Sequence, residues 1–288
     1  QMRKYHSERL GLPFQPITAA DSDPRANRIA AFLNMINDDV SRQIKALCSE
    51  PFEPGREIVQ YFEMLPDCEL KKAYQSAINL PDGDGKRAAL DALRSRIVSG
   101  SIDVNIMTKL DADEYRDGKK LPAEFSHASA ALRGFARSDI DGSIVISAGL
   151  NKRLFEYMTQ FDDFFPDANG YLKKRIILKV SDMRSAQVQS KYLARKGLWV
   201  SEFRIESGLN CGGHAFAANG LLLGPILEEF REKRKTLDCE ICQTYLDALA
   251  KYGKTVPPAA PPIIITAQGG IGTAAENRFL IDYYGLDG

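Results

Sequence analysis

The rhythm of hydrophobic positions changes about a third of the way along the chain. Over residues 20–48, Ile29, Phe32, Leu33, Ile36, Val40, Ile44 and Leu47 fall close to i, i+3, i+4, i+7 spacing, and Asp21 or Ser22 can cap the start. That pattern predicts an amphipathic helix, because 3.6 residues per turn bring those positions onto one face. A second helix is expected over 54–65, with Ile58, Tyr61, Phe62 and Leu65 on one side. Two more are expected over 69–78 and 85–99, separated by the turn Pro81-Asp82-Gly83-Asp84-Gly85. The pattern predicts no strand before residue 100.

After residue 100, short β-branched apolar runs alternate with helical stretches. The runs are 102–107, 143–148, 175–180, 199–205 and 262–267, with helices expected at 128–136, 151–160, 185–196 and 221–252. Strands apolar on both faces, each followed by a helix, imply a parallel sheet. Five such units in succession suggest a barrel or a doubly wound sheet. Pro257 to Pro262, two proline pairs around two alanines, form a stiff entry to the last run.

Composition narrows the function classes. Lys plus Arg equals 38 and Asp plus Glu equals 38, so the net charge is zero and there is no overall electrostatic footprint for nucleic acid. No apolar run reaches the ~18–20 residues of a bilayer helix, so no membrane partner is expected. The basic start Gln1-Met2-Arg3-Lys4 is followed by no apolar segment of the signal-peptide kind. Without such a signal, Cys48, Cys68, Cys211, Cys239 and Cys242 read as reduced thiols in a cytoplasmic protein. The expected partner is a small-molecule substrate, and a homo-oligomer is compatible with the sequence.

In parallel α/β folds the chemistry sits at the carboxyl ends of the strands. The first run ends Val104-Asn105-Ile106-Met107, where Asn105 is either a core amide satisfied by backbone or a ligand contact. The second ends Ser147-Ala148-Gly149, small residues that let a flat ligand approach the backbone. The third carries Lys179 between Leu178 and Val180, facing either a ligand or solvent at a sheet edge. The fourth leads through Glu206-Ser207-Gly208-Leu209-Asn210-Cys211 to Gly212-Gly213-His214, two glycines that bring backbone amides and an imidazole to one place. The fifth ends in Gln268-Gly269-Gly270-Ile271-Gly272-Thr273. That turn suits a phosphate by its free N–H groups and the helix that follows, or is a tight structural turn. It is neither a dinucleotide fingerprint nor a Walker loop.

The ordered set resembles the nitronate monooxygenase (2-nitropropane dioxygenase) family and the related flavin-dependent enoyl-acyl-carrier-protein reductases. Those are FMN-binding TIM barrels, and the likeness covers roughly residues 100–288, most closely from Ile176 to His214. The resemblance implies FMN at a barrel mouth, with Asn105 and Met107 near the isoalloxazine ring. Gly149 would pass beneath it and Lys179 would approach its pyrimidine side. Gly212 and Gly213 would contact the ribityl chain or phosphate, with Gly269, Gly270 and Ile271 on the phosphate. His214 would act on the substrate as base or orienting group, oxidising a nitronate-like or reducing an enoyl-type compound. The expected architecture is therefore α/β, of TIM-barrel type: an N-terminal helical region over 1–99 and an FMN-binding domain over 100–288.

The chain also departs from the family. The family's first strand carries a Gln-Gly-Gly-Met-like segment, whereas the nearest candidate here, Gln15-Pro16-Ile17-Thr18, lacks the glycines. Tyr284-Gly285-Leu286-Asp287-Gly288 resembles the approach to the last strand, so the expectation is a barrel truncated before it. Gly208 to Cys211 lengthen the usual spacing, and the charges at 228–235 read as a solvated face. These departures keep open a catalytically inactive barrel fragment or a binding or assembly module. Cys211 could instead serve as a nucleophile in the manner of inosine monophosphate dehydrogenase barrels. Cys239-Glu240-Ile241-Cys242 could hold zinc or act in redox chemistry but has no second pair. His127 falls after the first strand, at the mouth or on the surface.

Overall fold

A computed structural model of the chain describes residues 1–106, 111–147, 149–206 and 223–288. The chain forms two compact units, one of Gln1–Leu33 with Ile102–Gly288 and one of Asn34–Ser101. Helix α1 (Met2–Arg9) opens the first unit, and α2 (Pro24–Ser49) begins in the first and continues into the second. The expected helical region over 1–99 is thus divided: its first 33 residues cluster with the sheet.

The smaller unit contains the rest of α2, then α3 (Glu57–Glu63), α4 (Glu69–Ile78) and α5 (Asp84–Arg94). Ile58 and Phe62 of α3, Tyr74 and Ala77 of α4, and Leu93 and Ile97 form its core. The Phe62 and Tyr74 rings stack with centroids 5.1 Å apart. Helix α5 ends at Arg94, short of the expected 99, where Ser95 N donates to Asp91 O and Arg96 N donates to Leu93 O.

The larger unit is built on β1 (Ile102–Ile106), an antiparallel ribbon of β2 (Tyr115–Arg116) and β3 (Lys119–Lys120), then α6 (His127–Ala136), β4 (Gly142–Ile146), α7 (Lys152–Met158) and β5 (Lys174–Val180). It continues with α8 (Met183–Ala194), β6 (Val200–Glu206), α9 (Leu223–Lys251), β7 (Ile264–Gln268) and α10 (Ala274–Tyr284). The ribbon turns at Asp117-Gly118, both with positive φ, which is the hairpin signature of an Asp-Gly pair. Helices α6, α7, α8 and α10 each begin at a side-chain cap, from Ser126, Asn151, Asp182 and Thr273. Each cap accepts a hydrogen bond from one of the amides that a helix start leaves unpaired. Residues 15–18 form no strand.

The main sheet is parallel throughout, in the order β1-β4-β5-β6-β7. The order never reverses, so every crossover advances the sheet in the same direction. A doubly wound sheet requires a reversal, and this sheet has none. Asp287 N donates to Ile265 O at 2.9 Å and Ala267 N donates to Gly288 O at 3.1 Å, so the last residues pair along the outer side of β7.

The two faces of the sheet differ sharply. Alternation along each strand puts Ile106, Ile144, Ile146, Ile176, Leu178, Val180, Phe203, Ile205 and Ile265 on one face, where they join helix residues such as Leu132, Leu193, Leu227 and Tyr245 in a single core. The opposite face carries Asp103, Asn105, Ser143, Lys179, Glu202, Arg204, Glu206, Thr266 and Gln268, with Val145 and Ile177 buried at its centre. Arg204 Nη2 on β6 lies 3.0 Å from Asp103 Oδ2 on β1. Three strand spacings of ~4.8 Å separate those strands. A contact across ~14 Å of sheet requires both side chains to converge, so the sheet curls toward its polar face. It is a singly wound, curved α/β sheet with a charged inner face, and among the described residues β1 and β7 do not pair to close it.

Candidate functional site

All five strands point the same way, so their carboxyl ends share one rim. Lys179 on β5, Glu206 on β6 and Gln268 on β7 occupy adjacent strands there. The Lys179 ammonium lies 3.7 Å from the Glu206 carboxylate, and Gln268 Nε2 donates to Glu206 Oε2 at 2.7 Å. Glu206 is buried, and an ionised carboxylate in that position needs such partners. Lys179 stands on the middle strand, so it is not an edge lysine reaching for solvent.

Asn105 on β1 is exposed, so it is not a buried core amide. Gly149 follows β4 with φ +129°, a conformation that side chains rarely adopt. Topology therefore places Asn105, Gly149, Lys179 and the end of β7 toward the carboxyl end of the sheet, with Asn105 in register with Glu202 and Lys179 in register with Arg204.

Below the rim a second polar layer crosses the inner face. Arg204 Nε donates to Glu202 Oε1 at 2.8 Å, and Thr266 Oγ1 donates to the same oxygen at 2.6 Å. Burial works against the Arg204 guanidinium, but its bonds to Glu202 and Asp103 outweigh that and raise its pKa. This layer is internally satisfied, so it braces the sheet.

The glycine turn after β7 is only partly open to an anion. Gly269 and Gly270 have positive φ, at +91° and +76°, and Ile271 is exposed. The next two amides are taken: Glu276 Oε2 accepts from Gly272 N and Thr273 N, each at 2.9 Å. Thr273 Oγ1 accepts from Glu276 N, which completes a capping box. These bonds, from Gly272 first, hold the Glu276 carboxyl below its ordinary pKa. An anion at this turn would use the amides of Gly269, Gly270 and Ile271, next to a carboxylate.

Met107, Cys211, Gly212, Gly213 and His214 lie outside the described residues. Cys239 and Cys242 sit one turn apart on α9, exposed and half-buried. Among the described residues no group of three or more His, Cys, Asp or Glu could hold a metal ion. No described helix is long and apolar enough to cross a membrane. His127 opens α6 with Nε2 3.2 Å from Glu114 Oε2, and lines a cavity of about 860 Å³ beside β1.

Sequence reading missed Glu206 and Gln268 as site residues. The available signal was strict alternation: both are polar last residues of strands whose next-but-one neighbours, Arg204 and Thr266, are also polar. Comparison of the chain with protein-family models, with curated proteins and with solved structures finds no match.

Proposed function

We propose that this chain is an FMN-dependent oxidoreductase of the nitronate monooxygenase type, acting on a small nitronate-like or enoyl-type substrate at the strand-end rim. The observation that carries the reading is the rim itself: an unreversed parallel sheet gathers Asn105, Gly149, Lys179 and the Gly269-Gly270 turn at one end, in the order of the resembling motifs. The donor set suits a flavin. The edge of its pyrimidine ring alternates acceptors and a donor, and the rim offers an ammonium at Lys179 and carboxamides at Asn105 and Gln268.

When bound, FMN supplies the hydride or electron transfer, and the protein orients and tunes it. Lys179 would place positive charge at the pyrimidine side, held in position by Glu206. Gly149 would leave the backbone open to a flat ring. The amides of Gly269, Gly270 and Ile271 would take the phosphate, together with Gly212 and Gly213. His214 would hold or accept a proton on the substrate side, a task that an imidazole performs near neutral pH.

The test is spectroscopic. Purified protein should be yellow, or take up added FMN with a perturbed flavin band. His214→Ala should keep the flavin and lose turnover. Colourless protein that binds no FMN overturns the reading in favour of a non-catalytic module.

A further inference from the structure

The cavity of about 860 Å³ beside β1 shares Asn105 with the proposed flavin rim, and the rest of its wall takes no part in that reading. Its size falls within the roughly 300–1,000 Å³ range of small-molecule sites. Its wall is chemically one-sided. Arg25, Arg28, Ile29 and Phe32 follow i, i+3, i+4, i+7 spacing on α2, so one stripe of that helix faces the cavity with cations at one end and apolar groups at the other. Phe14 adds a further apolar surface, with the Arg3 guanidinium 4.9 Å from its ring centroid.

The charges on the lining are all of one sign. Arg3, Arg25 and Arg28 line the cavity with His127, and no Asp or Glu lines it. In a chain of zero net charge, a lining of three cations with no carboxylate favours an anion, with Glu114 beyond the lining offsetting part of the Arg25 charge. Nearby carboxylates are engaged: Asp23 is held by Arg133, and Glu114 lies 3.8 Å from Arg25 and 3.2 Å from His127. Among the described residues Arg3 and Arg28 form no ion pair. Arg25 Nε is buried and has no hydrogen-bond partner, although a buried donor of this kind is normally satisfied.

We infer that this cavity binds a monocarboxylate with a flexible apolar chain. The carboxylate sits at Arg25 and Arg28, where a planar guanidinium matches its two oxygens, and the chain lies against Ile29, Phe32 and Phe14.

Calorimetric titration of the full chain with decanoate tests this. Saturable binding of one decanoate per chain is expected, with butyrate at least tenfold weaker because it lacks the apolar chain. The double variant Arg25→Gln, Arg28→Gln, at a half-buried and an exposed position, should weaken decanoate at least tenfold. Ala131→Phe, which fills the cavity, should do the same if its circular dichroism matches that of the parent. Absence of saturable binding, equal affinity for butyrate, or unchanged affinity in the double variant overturns the assignment. FMN uptake, measured on the same samples, reports on the rim separately.

Discussion

Lys174 begins the middle strand of the sheet with its ammonium inside the protein. It is 1% exposed, and Nζ donates to Ser138 O at 2.8 Å, to Ser138 Oγ at 3.2 Å and to Ile140 O. It lies over the Phe135 ring, 4.7 Å from the centroid. Among the described residues no carboxylate pairs with it directly. Burial, helped by Lys173 and opposed by Asp163, Asp139 and Asp141, pushes its pKa down from 10.5 to about 8. At ~1.4 kcal/mol per pH unit between those values, the charged form costs the native state about 3 kcal/mol.

The sign follows from proton counting. Between pH 8 and 10.5 the unfolded chain holds a proton that the native chain has released, so stability rises with pH across that window. Below pH 8 both states are charged and the full cost is present. Lys174→Met removes the titrating group, but it leaves the Ser138 and Ile140 carbonyls without their donor, at roughly 1–3 kcal/mol. Near pH 7 the two effects should nearly cancel. By pH 10 the parent should have gained ~2 kcal/mol or more relative to the variant, because most of the window has been crossed. The assay is urea unfolding followed by selective tryptophan fluorescence at several pH values from 7 to 10. The chain has one tryptophan, Trp199, which is buried in the same unit as Lys174, so the signal reports that unit. Other titrating groups are common to both proteins and drop out of the difference. A stability difference that stays constant over this range would refute the reasoning.

Three further outcomes are expected. Arg133 is buried, and Asp23 accepts from it through both carboxylate oxygens at 2.6 and 2.8 Å, so Asp23→Asn should cost about 2–4 kcal/mol by urea unfolding. The Arg133 bond holds the Asp23 carboxyl below its ordinary value, so this contribution is complete above about pH 4 and fades as pH falls further; the parent's acid unfolding should be the steeper of the two. Gly149→Ala places a side chain at φ +129° and should cost about 1–3 kcal/mol in the same measurement, whether or not FMN binds. Glu276→Gln removes a negative charge beside the glycine turn and keeps a capping amide; a phosphate-bearing flavin should then bind about threefold more tightly (~0.7 kcal/mol), and unchanged affinity would place its phosphate elsewhere.

The strands were legible because they are extreme sequences. Runs such as Arg175 to Val180 combine β-branching with burial, and the elements found lie within two residues of those expected. Helix α1 was missed because Met2–Arg9 has little amphipathic character and buries only Ser7. The β2–β3 ribbon was missed because two-residue strands have no periodicity to read, although Asp117-Gly118 marks the turn. Capping was only half visible. Thr273 looked like part of a phosphate loop, and only the folded chain brings the Glu276 carboxylate onto the amides of Gly272 and Thr273.

The inner face of the sheet explains why charged positions within its strands stand out in the sequence before their partners are known. A parallel strand covered by helices on both faces reads as continuously apolar, and a charge within it is an anomaly. Lys179, Arg204 and Glu206 are such anomalies, and with helices packed on one face they must share the other. Alternation fixes that sharing from sequence alone. Which charges meet depends on curvature and strand order. Arg204 reaches Asp103 across two intervening strands because the sheet curls, and Lys179 meets Glu206 because β5 and β6 are neighbours. Curvature and order arise from packing summed over five strands, which is why Lys179 was readable as a strand-end anomaly while its partners Glu206 and Gln268, and their pairings, were not.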